Sequence, residues 1–410
     1  MRPPSYRDLI THHAVGRLLL AAALARLAGR MLTLVLVLYV LSRFQSALLA
    51  GWVGFAVMAP GMLVSPIAGA VLDRVGSTVA IAIDMACSAG CILVLALLTL
   101  ADANSGFSVV ALSALYSLTT PLSAAGVRAL LPRLVPHTAL DRANALDTSI
   151  HSASEVMGPA LAGTLFALTG AGVTLLVIEG LIGAACISLL TTARPWQRSP
   201  SNQRAGLLAD AATGVMYVLR HRSLRGLAVA YATYQVSWGI LLVAVPVHVV
   251  RTMGGGPHSD LMVGALWAVS GVAGALGALV AGTLGARGRE RGVIVLGTLA
   301  TSLVICSVSA GFGLAGLGLV LALVGFLEGP IDVGALTLRQ RRTEPGWLGR
   351  VMAVSMSLNM SGLPIGSALG GVLVGWSLPW AFGGAALACV LSALAAWILL
   401  PEQRDRRVSP

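Results

Sequence analysis

Twelve long apolar runs constrain this 410-residue chain more than any other feature of its sequence. A helix needs about 20 apolar residues to cross a hydrocarbon core of roughly 30 Å. The runs that meet or approach this length are residues 16–42, 47–71, 78–100, 107–130, 145–168, 173–192, 223–250, 259–285, 292–313, 314–338, 350–375 and 380–400. They are continuous, without the alternation of barrel strands. The sequence therefore predicts an all-α membrane protein with twelve transmembrane helices.

The charged residues interrupt these runs instead of covering a soluble surface. They make up only 10% of the chain, against about 25% in soluble domains. The net charge is +11, and all 27 basic residues are Arg, since the chain has no Lys. This pattern excludes an ordinary soluble enzyme, a disordered chain and a basic nucleic-acid binder, and it makes the lipid bilayer the surrounding medium.

The distribution of Arg predicts the orientation of the chain in the membrane. Arg side chains crowd both termini and every second loop, while the alternate loops hold only Arg43 and Arg251. Cytoplasmic loops carry the excess of positive charge. We expect a multi-pass protein of the cytoplasmic (inner) membrane with both termini in the cytoplasm, which requires an even number of spans.

An internal repeat and one long polar interval predict two halves. Residues 160–165 and 368–373 are similar at an offset of 208, and residues 69–74 and 282–287 share Gly and Arg at an offset of 213. The predicted organisation is a six-helix bundle at 1–192, a cytoplasmic linker at 193–222 and a second six-helix bundle at 223–410. Within that interval, residues 203–219 are either an amphipathic surface helix or a plain linker. Parallel repeats of this kind place a substrate cavity at their interface.

Two motifs give the chain a family resemblance. The loop after span 2 contains Gly69, Asp73, Arg74 and Gly76, and span 5 contains Gly158, Pro159 and Gly163. With these motifs the chain resembles the major facilitator superfamily, and within it the bacterial drug-efflux and siderophore-export branches. The resemblance implies two pseudo-symmetric six-helix bundles, a gating role for the loop motif and an antiporter role for the span 5 motif. It also implies a monomer, with spans 1, 4, 7 and 10 lining the cavity and span 5 beside it.

Charges inside the membrane are costly, so they mark either function or static helix packing. Span 1 carries Arg26 and Arg30, one turn apart, span 5 carries Glu155, and span 10 carries Glu328 and Asp332, also one turn apart. Burial favours the protonated form of a carboxyl and a nearby Arg favours the ionised form, so a change in conformation can bind or release a proton. We predict that Arg26 or Arg30 pairs with Glu155, and that the three carboxylates are candidates for proton coupling. Asp84 and Glu179 are interpreted as structural.

Polar and aromatic side chains form stripes on two spans expected to line the cavity. A small number of hydrogen-bonding groups among aromatic rings suits a flat or amphipathic organic molecule. The alternative is a stripe that serves helix packing or the membrane interface. The candidates are Tyr116 and Thr120 on span 4, and Tyr231, Tyr234, Gln235 and Trp238 on span 7.

The function predicted from these features is export of a small amphipathic compound, drug-like or a secondary metabolite, by proton antiport. Such activity would give drug resistance. The alternatives are a proton-coupled importer or facilitator, and a non-transporting sensor with the same fold. No catalytic constellation, metal-ligand spacing or nucleotide-binding loop is found, so neither an enzyme nor a cofactor is predicted. The expected partners are the bilayer, a small-molecule substrate and protons.

Overall fold

The computed structural model describes residues 6–135, 139–191, 215–284, 289–310, 313–343, 354–355 and 357–400. This part of the chain is helical and contains no strand, because a backbone surrounded by lipid must satisfy its own hydrogen bonds. The helices are α1 (Tyr6–Thr11), α2 (His13–Phe44), α3 (Ala47–Ala56), α4 (Ala59–Val75), α5 (Ser77–Leu100), α6 (Gly106–Leu134), α7 (Leu140–Leu190), α8 (Arg222–Met253), α9 (Pro257–Leu284), α10 (Glu290–Cys306), α11 (Gly313–Arg342), α12 (Gly362–Trp376) and α13 (Leu378–Leu399). A 3₁₀ turn (Ser307–Ala310) follows α10.

The described helices account for the twelve predicted spans. Ten segments have the length and hydropathy of a membrane span. One of them, Ser149–Leu190, is 42 residues long and is broken at Gly170, where φ is 75°, so it divides into spans 5 and 6. Helix α10, with 17 residues, falls just short of the usual span length and continues into the 3₁₀ turn, and it corresponds to span 9.

The chain divides into two compact units, and each has its own helix packing. The first unit comprises residues 1–45, 56–208 and 255–265, and the second comprises residues 46–55, 209–254 and 266–410. In the first unit α2 packs mainly against α7, and α5 packs against α6 and α7. In the second unit α8 packs against α12 and α13, and α10 packs against α11 and α13. The residues from Leu34 to Leu41 on α2 are all buried, so this stretch of the helix is enclosed on every side.

Glycines allow close helix crossings in both units, and one crossing in each unit follows the sequence repeat. In the first unit a Cβ on Gly163 of α7 would lie 2.7 Å from the Cα of Gly264 of α9. In the second unit a Cβ on Gly371 of α12 would lie 3.0 Å from the Cα of Gly51 of α3. Residues 163 and 371 are 208 positions apart, and residues 51 and 264 are 213 apart, which are the two offsets of the sequence repeat. The repeat therefore encodes backbone contacts between small residues, the usual basis of close packing in membranes.

Part of the predicted organisation lies outside the described residues. Residues 193–214 of the predicted linker at 193–222 lie outside the described residues. The predicted amphipathic helix at 203–219 therefore lies outside them up to residue 214. Residues 215–220 are helical. The boundaries 1–192 and 223–410 stay a prediction.

Candidate functional site

A charged pair joins α2 to α7 inside the first unit. Arg30 of α2 forms a salt bridge with the carboxylate of Glu155 on α7, and the two side chains are 39% and 40% exposed. The Nε2 of His151, one turn earlier on α7, lies 3.5 Å from the same carboxylate. The sequence prediction that one of the two Arg residues of span 1 meets Glu155 is confirmed for Arg30.

The second Arg of span 1 has a different partner. Arg26 forms a salt bridge of 2.8 Å with the carboxylate of Asp147, and it also donates a hydrogen bond of 2.9 Å to the Asp147 carbonyl. Asp147 is a residue that sequence reasoning missed. The sequence contains a pattern that could have identified Asp147. Asp147 and Glu155 lie two turns apart on span 5, and the two basic residues Arg26 and Arg30 lie one turn apart on span 1.

The antiporter-like motif lies directly beside this pair. A Cβ on Gly158 would overlap the Cβ of Arg30 and would lie 3.4 Å from the Arg30 carbonyl carbon. The glycine therefore lets α7 approach α2 at the residue that holds Glu155. Pro159 lies inside α7, where the helical backbone angles continue, and the break in this helix comes at Gly170. Gly163, the third residue of the motif, makes the contact with Gly264 described above.

The span 4 candidates lie beside α2 as well. Tyr116 of α6 is buried, and a Cβ on Gly29 would lie 3.2 Å from its hydroxyl oxygen. Because Gly29 precedes Arg30, the Tyr116 hydroxyl lies next to the charged part of α2. Thr120 donates its hydroxyl to the carbonyl of Ser117 at 2.9 Å, within its own helix.

In the second unit a tyrosine from span 7 meets a carboxylate from span 10. The hydroxyl of Tyr231 on α8 donates a hydrogen bond to the carboxylate of Asp332 on α11. Tyr231 is buried, whereas Asp332 is exposed, and Glu328 lies one turn before Asp332. The ring of Tyr234 packs edge-on against that of Tyr231, with centroids 6.0 Å apart. A single hydrogen bond thus joins two groups of candidates that the sequence treated separately.

An aromatic pair lies further along α8. The rings of Trp238 and Trp267 are 5.9 Å apart and tilted by 37°. Gln235 donates its amide to the sulfur of Met360 at 3.4 Å, while its side-chain oxygen is buried without a hydrogen-bond partner in the described part of the chain. Trp267 lies on span 8, which the family resemblance does not place at the cavity, and for this reason sequence reasoning missed it.

The loop motif is described only in part. Gly76 ends α4 with φ 86° and ψ 148°, a conformation that is essentially restricted to glycine. The chain therefore turns tightly at Gly76 between α4 and α5. Gly69, Asp73 and Arg74 lie in α4, but their side chains are outside the described residues, and the gating contact stays a prediction. Within the described residues no group of three His, Cys, Asp or Glu side chains is arranged to hold a metal ion.

The fold and these clusters define a class of protein: a multi-pass α-helical membrane protein that carries charged residues inside its spans and is built from two repeated halves. The sequence model of the Major Facilitator Superfamily matches residues 18–256 and 227–410. The chain belongs to this superfamily, and the fold class predicted from the sequence is confirmed.

Relatives of known sequence agree with this membership. The uncharacterized MFS-type transporter y4rN of Sinorhizobium fredii is 45% identical over 405 residues, which is 98% of either chain. The multidrug efflux pump Tap of Mycobacterium tuberculosis is 27% identical over 387 residues, covering 90% of this chain and 89% of Tap.

Solved structures share the fold at low sequence identity. The nucleoside transporter NupG superposes with a TM-score of 0.73 at 12% identity, covering 95% of this chain and 100% of NupG. A bacterial homologue of the iron transporter ferroportin, in an inward-facing state, superposes with a TM-score of 0.69 at 18% identity, covering 93% and 97%. At these identities the likeness establishes the fold alone.

Proposed function

We propose that this transporter exports a small amphipathic organic compound from the cytoplasm in exchange for protons. It would do so as a monomer in the bacterial inner membrane, with both termini in the cytoplasm. The observation that carries the proposal is the salt bridge between Arg30 and Glu155. Both side chains lie within membrane-spanning helices and are partly accessible, so a proton can reach the carboxylate. The direction of transport is supported by the 27% identical relative, which is a multidrug efflux pump.

The proposed coupling step is a change in one ion pair. A proton that binds Glu155 neutralises the carboxylate and removes its attraction for the Arg30 guanidinium. Since Gly158 lets α7 lie directly against Arg30, loss of this attraction weakens the contact between α2 and α7. His151 is placed to pass a proton to the same carboxylate, because its Nε2 lies 3.5 Å away. Release of the proton restores the pair.

The second unit contains another contact that protonation of a carboxylate would weaken. Tyr231 donates its hydroxyl to Asp332, and protonation of Asp332 would weaken this hydrogen bond by removing the charge of its acceptor. Glu328 lies one turn away and is the further candidate. We rank Glu155 first, because its partner is a charged side chain and its helix carries the antiporter-like motif. In the loop motif, Asp73 and Arg74 are proposed to hold the cytoplasmic gate.

The aromatic residues of α8 and α9 suit the proposed substrate. Trp238 and Trp267 offer two ring faces, and the buried amide oxygen of Gln235 can accept a hydrogen bond. A few polar groups among aromatic rings recognise flat, amphipathic molecules. The substrate class proposed here is therefore a planar organic compound and not a sugar or an inorganic ion.

The test is ethidium export measured in everted membrane vesicles, with the pH gradient imposed or collapsed by a protonophore. Wild-type protein should accumulate ethidium only while the gradient is present. Glu155→Gln should lose this gradient-dependent transport, because glutamine binds no proton. The matched control is Glu179→Gln in span 6, a carboxyl interpreted as structural, which should retain transport.

Two outcomes would contradict the proposal. Gradient-dependent transport by Glu155→Gln at the wild-type level would remove Glu155 from the coupling step. If a panel of dyes and antibiotics moved only into the cytoplasm of intact cells, the protein would be an importer, and the proposed direction would be wrong.

A further inference from the structure

A cavity at one end of the first unit carries an unbalanced negative charge. Its volume is about 450 Å³, which is within the range of small-molecule sites. It lies where α2 ends, α5 ends, α7 breaks at Gly170 and α9 begins, at the loops that the Arg distribution predicts to face away from the cytoplasm. The residues used below are Tyr39, Arg43, Asp102, Phe166 and Asp260, and all five line it.

Two of the three charged residues around this cavity neutralise each other. The guanidinium of Arg43 and the carboxylate of Asp102 form a salt bridge of 2.9 Å at the exposed rim, where the side chains are 46% and 75% exposed. Asp260, in the first turn of α9, is 8% exposed. Its carboxylate has neither a hydrogen bond nor an ion pair with any described residue, and it lines the cavity. The cavity is therefore left with one uncompensated negative charge.

The walls of the cavity complete a site for a cation. Tyr39 and Phe166, two aromatic residues that line the cavity, are buried to more than nine-tenths. Ring faces attract a cation within about 6 Å, and the attraction is stronger when water is excluded. A buried carboxylate with no protein partner is costly, and a bound cation removes this cost.

We propose that this cavity binds a small organic cation, with its amidinium or ammonium group on Asp260 and its body between Tyr39 and Phe166. The site is separate from the Arg30 and Glu155 pair and from the aromatic residues of α8. It thus goes beyond the proposed function and does not depend on the direction of transport or on proton coupling. It would bind a cationic compound at the end of the first unit that is predicted to face away from the cytoplasm.

The first experiment measures binding by isothermal titration calorimetry with the purified full-length protein in detergent. The probe is benzamidine, a planar cation, and the matched control ligand is benzamide, which has the same shape and no charge. Benzamidine should bind saturably to wild-type protein, and Asp260→Asn should weaken it by about tenfold or more, because a charge-assisted hydrogen bond is lost. Glu179→Gln, a carboxyl of the same unit that lies outside the cavity, should bind benzamidine like the wild type. Equal binding of benzamide, no binding of benzamidine, or unchanged affinity in Asp260→Asn would each overturn the proposal.

Two exposed variants keep the test decisive if Asp260→Asn fails to fold. Arg43→Gln releases Asp102 from its partner and should strengthen benzamidine binding several-fold, since the cavity becomes more negative. Asp102→Asn leaves Arg43 uncompensated and should weaken binding. Asparagine tolerates the left-handed backbone at this position, where φ is 53°. Shifts in the same direction for these two variants, or no shift in either, would refute the electrostatic basis of the site.

Discussion

Replacing Gly158 by alanine should push α7 away from α2 at the Arg30 and Glu155 pair. The new Cβ would overlap the Cβ of Arg30, which is fixed to its own backbone and cannot rotate away. The helices would have to separate by about 1 Å to restore an ordinary carbon–carbon contact of roughly 3.5–4.0 Å. Overpacking of this kind costs about 1–3 kcal/mol.

The magnitude can be read as a thermal shift. For a unit of this size, each kcal/mol lowers the unfolding midpoint by roughly 2–4 °C. We therefore expect Gly158→Ala to unfold several degrees below the wild type. The assay is fluorescence-detected size-exclusion chromatography of detergent-solubilised protein after heating. Gradient-dependent ethidium export, measured in parallel, should also fall, because the charged pair is displaced.

The chain offers a matched control in span 6, beyond the break of α7 at Gly170. Gly180 of α7 has no atom within 4 Å of the position that a Cβ would occupy. Gly180→Ala should therefore be neutral or stabilising, since alanine is favoured over glycine in a helix by about 0.5–1 kcal/mol. If Gly158→Ala were as stable as Gly180→Ala, the close contact with Arg30 would not exist, and the reasoning on the motif would be refuted.

Three further predictions follow from single contacts. Tyr231→Phe removes the hydroxyl that Asp332 accepts, so the pH dependence of ethidium export should shift while the protein remains folded; an unchanged pH profile would argue against a role in coupling. Gly76→Ala should cost about 1–3 kcal/mol in the same thermal assay, because φ there is 86°; an unshifted midpoint would contradict the backbone argument. Arg341→Gln removes an ion-pair partner of Glu290, a carboxylate that is 1% exposed, and should lower stability by about 1.5–3 kcal/mol. Replacing Arg225, which is exposed and forms no ion pair with any described residue, should leave stability unchanged.

The intramembrane charges show how far sequence reasoning reaches. The cost of a charge in lipid identifies Arg26, Arg30 and Glu155 from the sequence alone. Which Arg meets which carboxylate depends on the rotation and depth of α2 against α7, and hydropathy contains neither quantity. The structure assigns Arg30 to Glu155 and Arg26 to Asp147.

The aromatic candidates show the same limit in the second unit. Periodicity places Tyr231, Tyr234 and Trp238 along one helix, and the Asp332 carboxylate is recognisable by its charge. Only the packing of α8 on other helices brings Tyr231 to Asp332 and Trp238 to Trp267. Trp267 has no sequence signal of its own, because an aromatic residue in an apolar run is equally suited to packing.

The sequence by itself determined the twelve spans, their repeat and the membrane environment. These follow from local properties, namely the apolar length of each run and the placement of Arg between runs. Tertiary structure decided which residues of different spans meet. It also assigned residues 46–55 to the second unit and residues 255–265 to the first, although each lies in the opposite half of the sequence. The physical reason is that glycine contacts such as Gly163 with Gly264 depend on two helices crossing at one point, and that geometry is fixed only when the whole chain is packed.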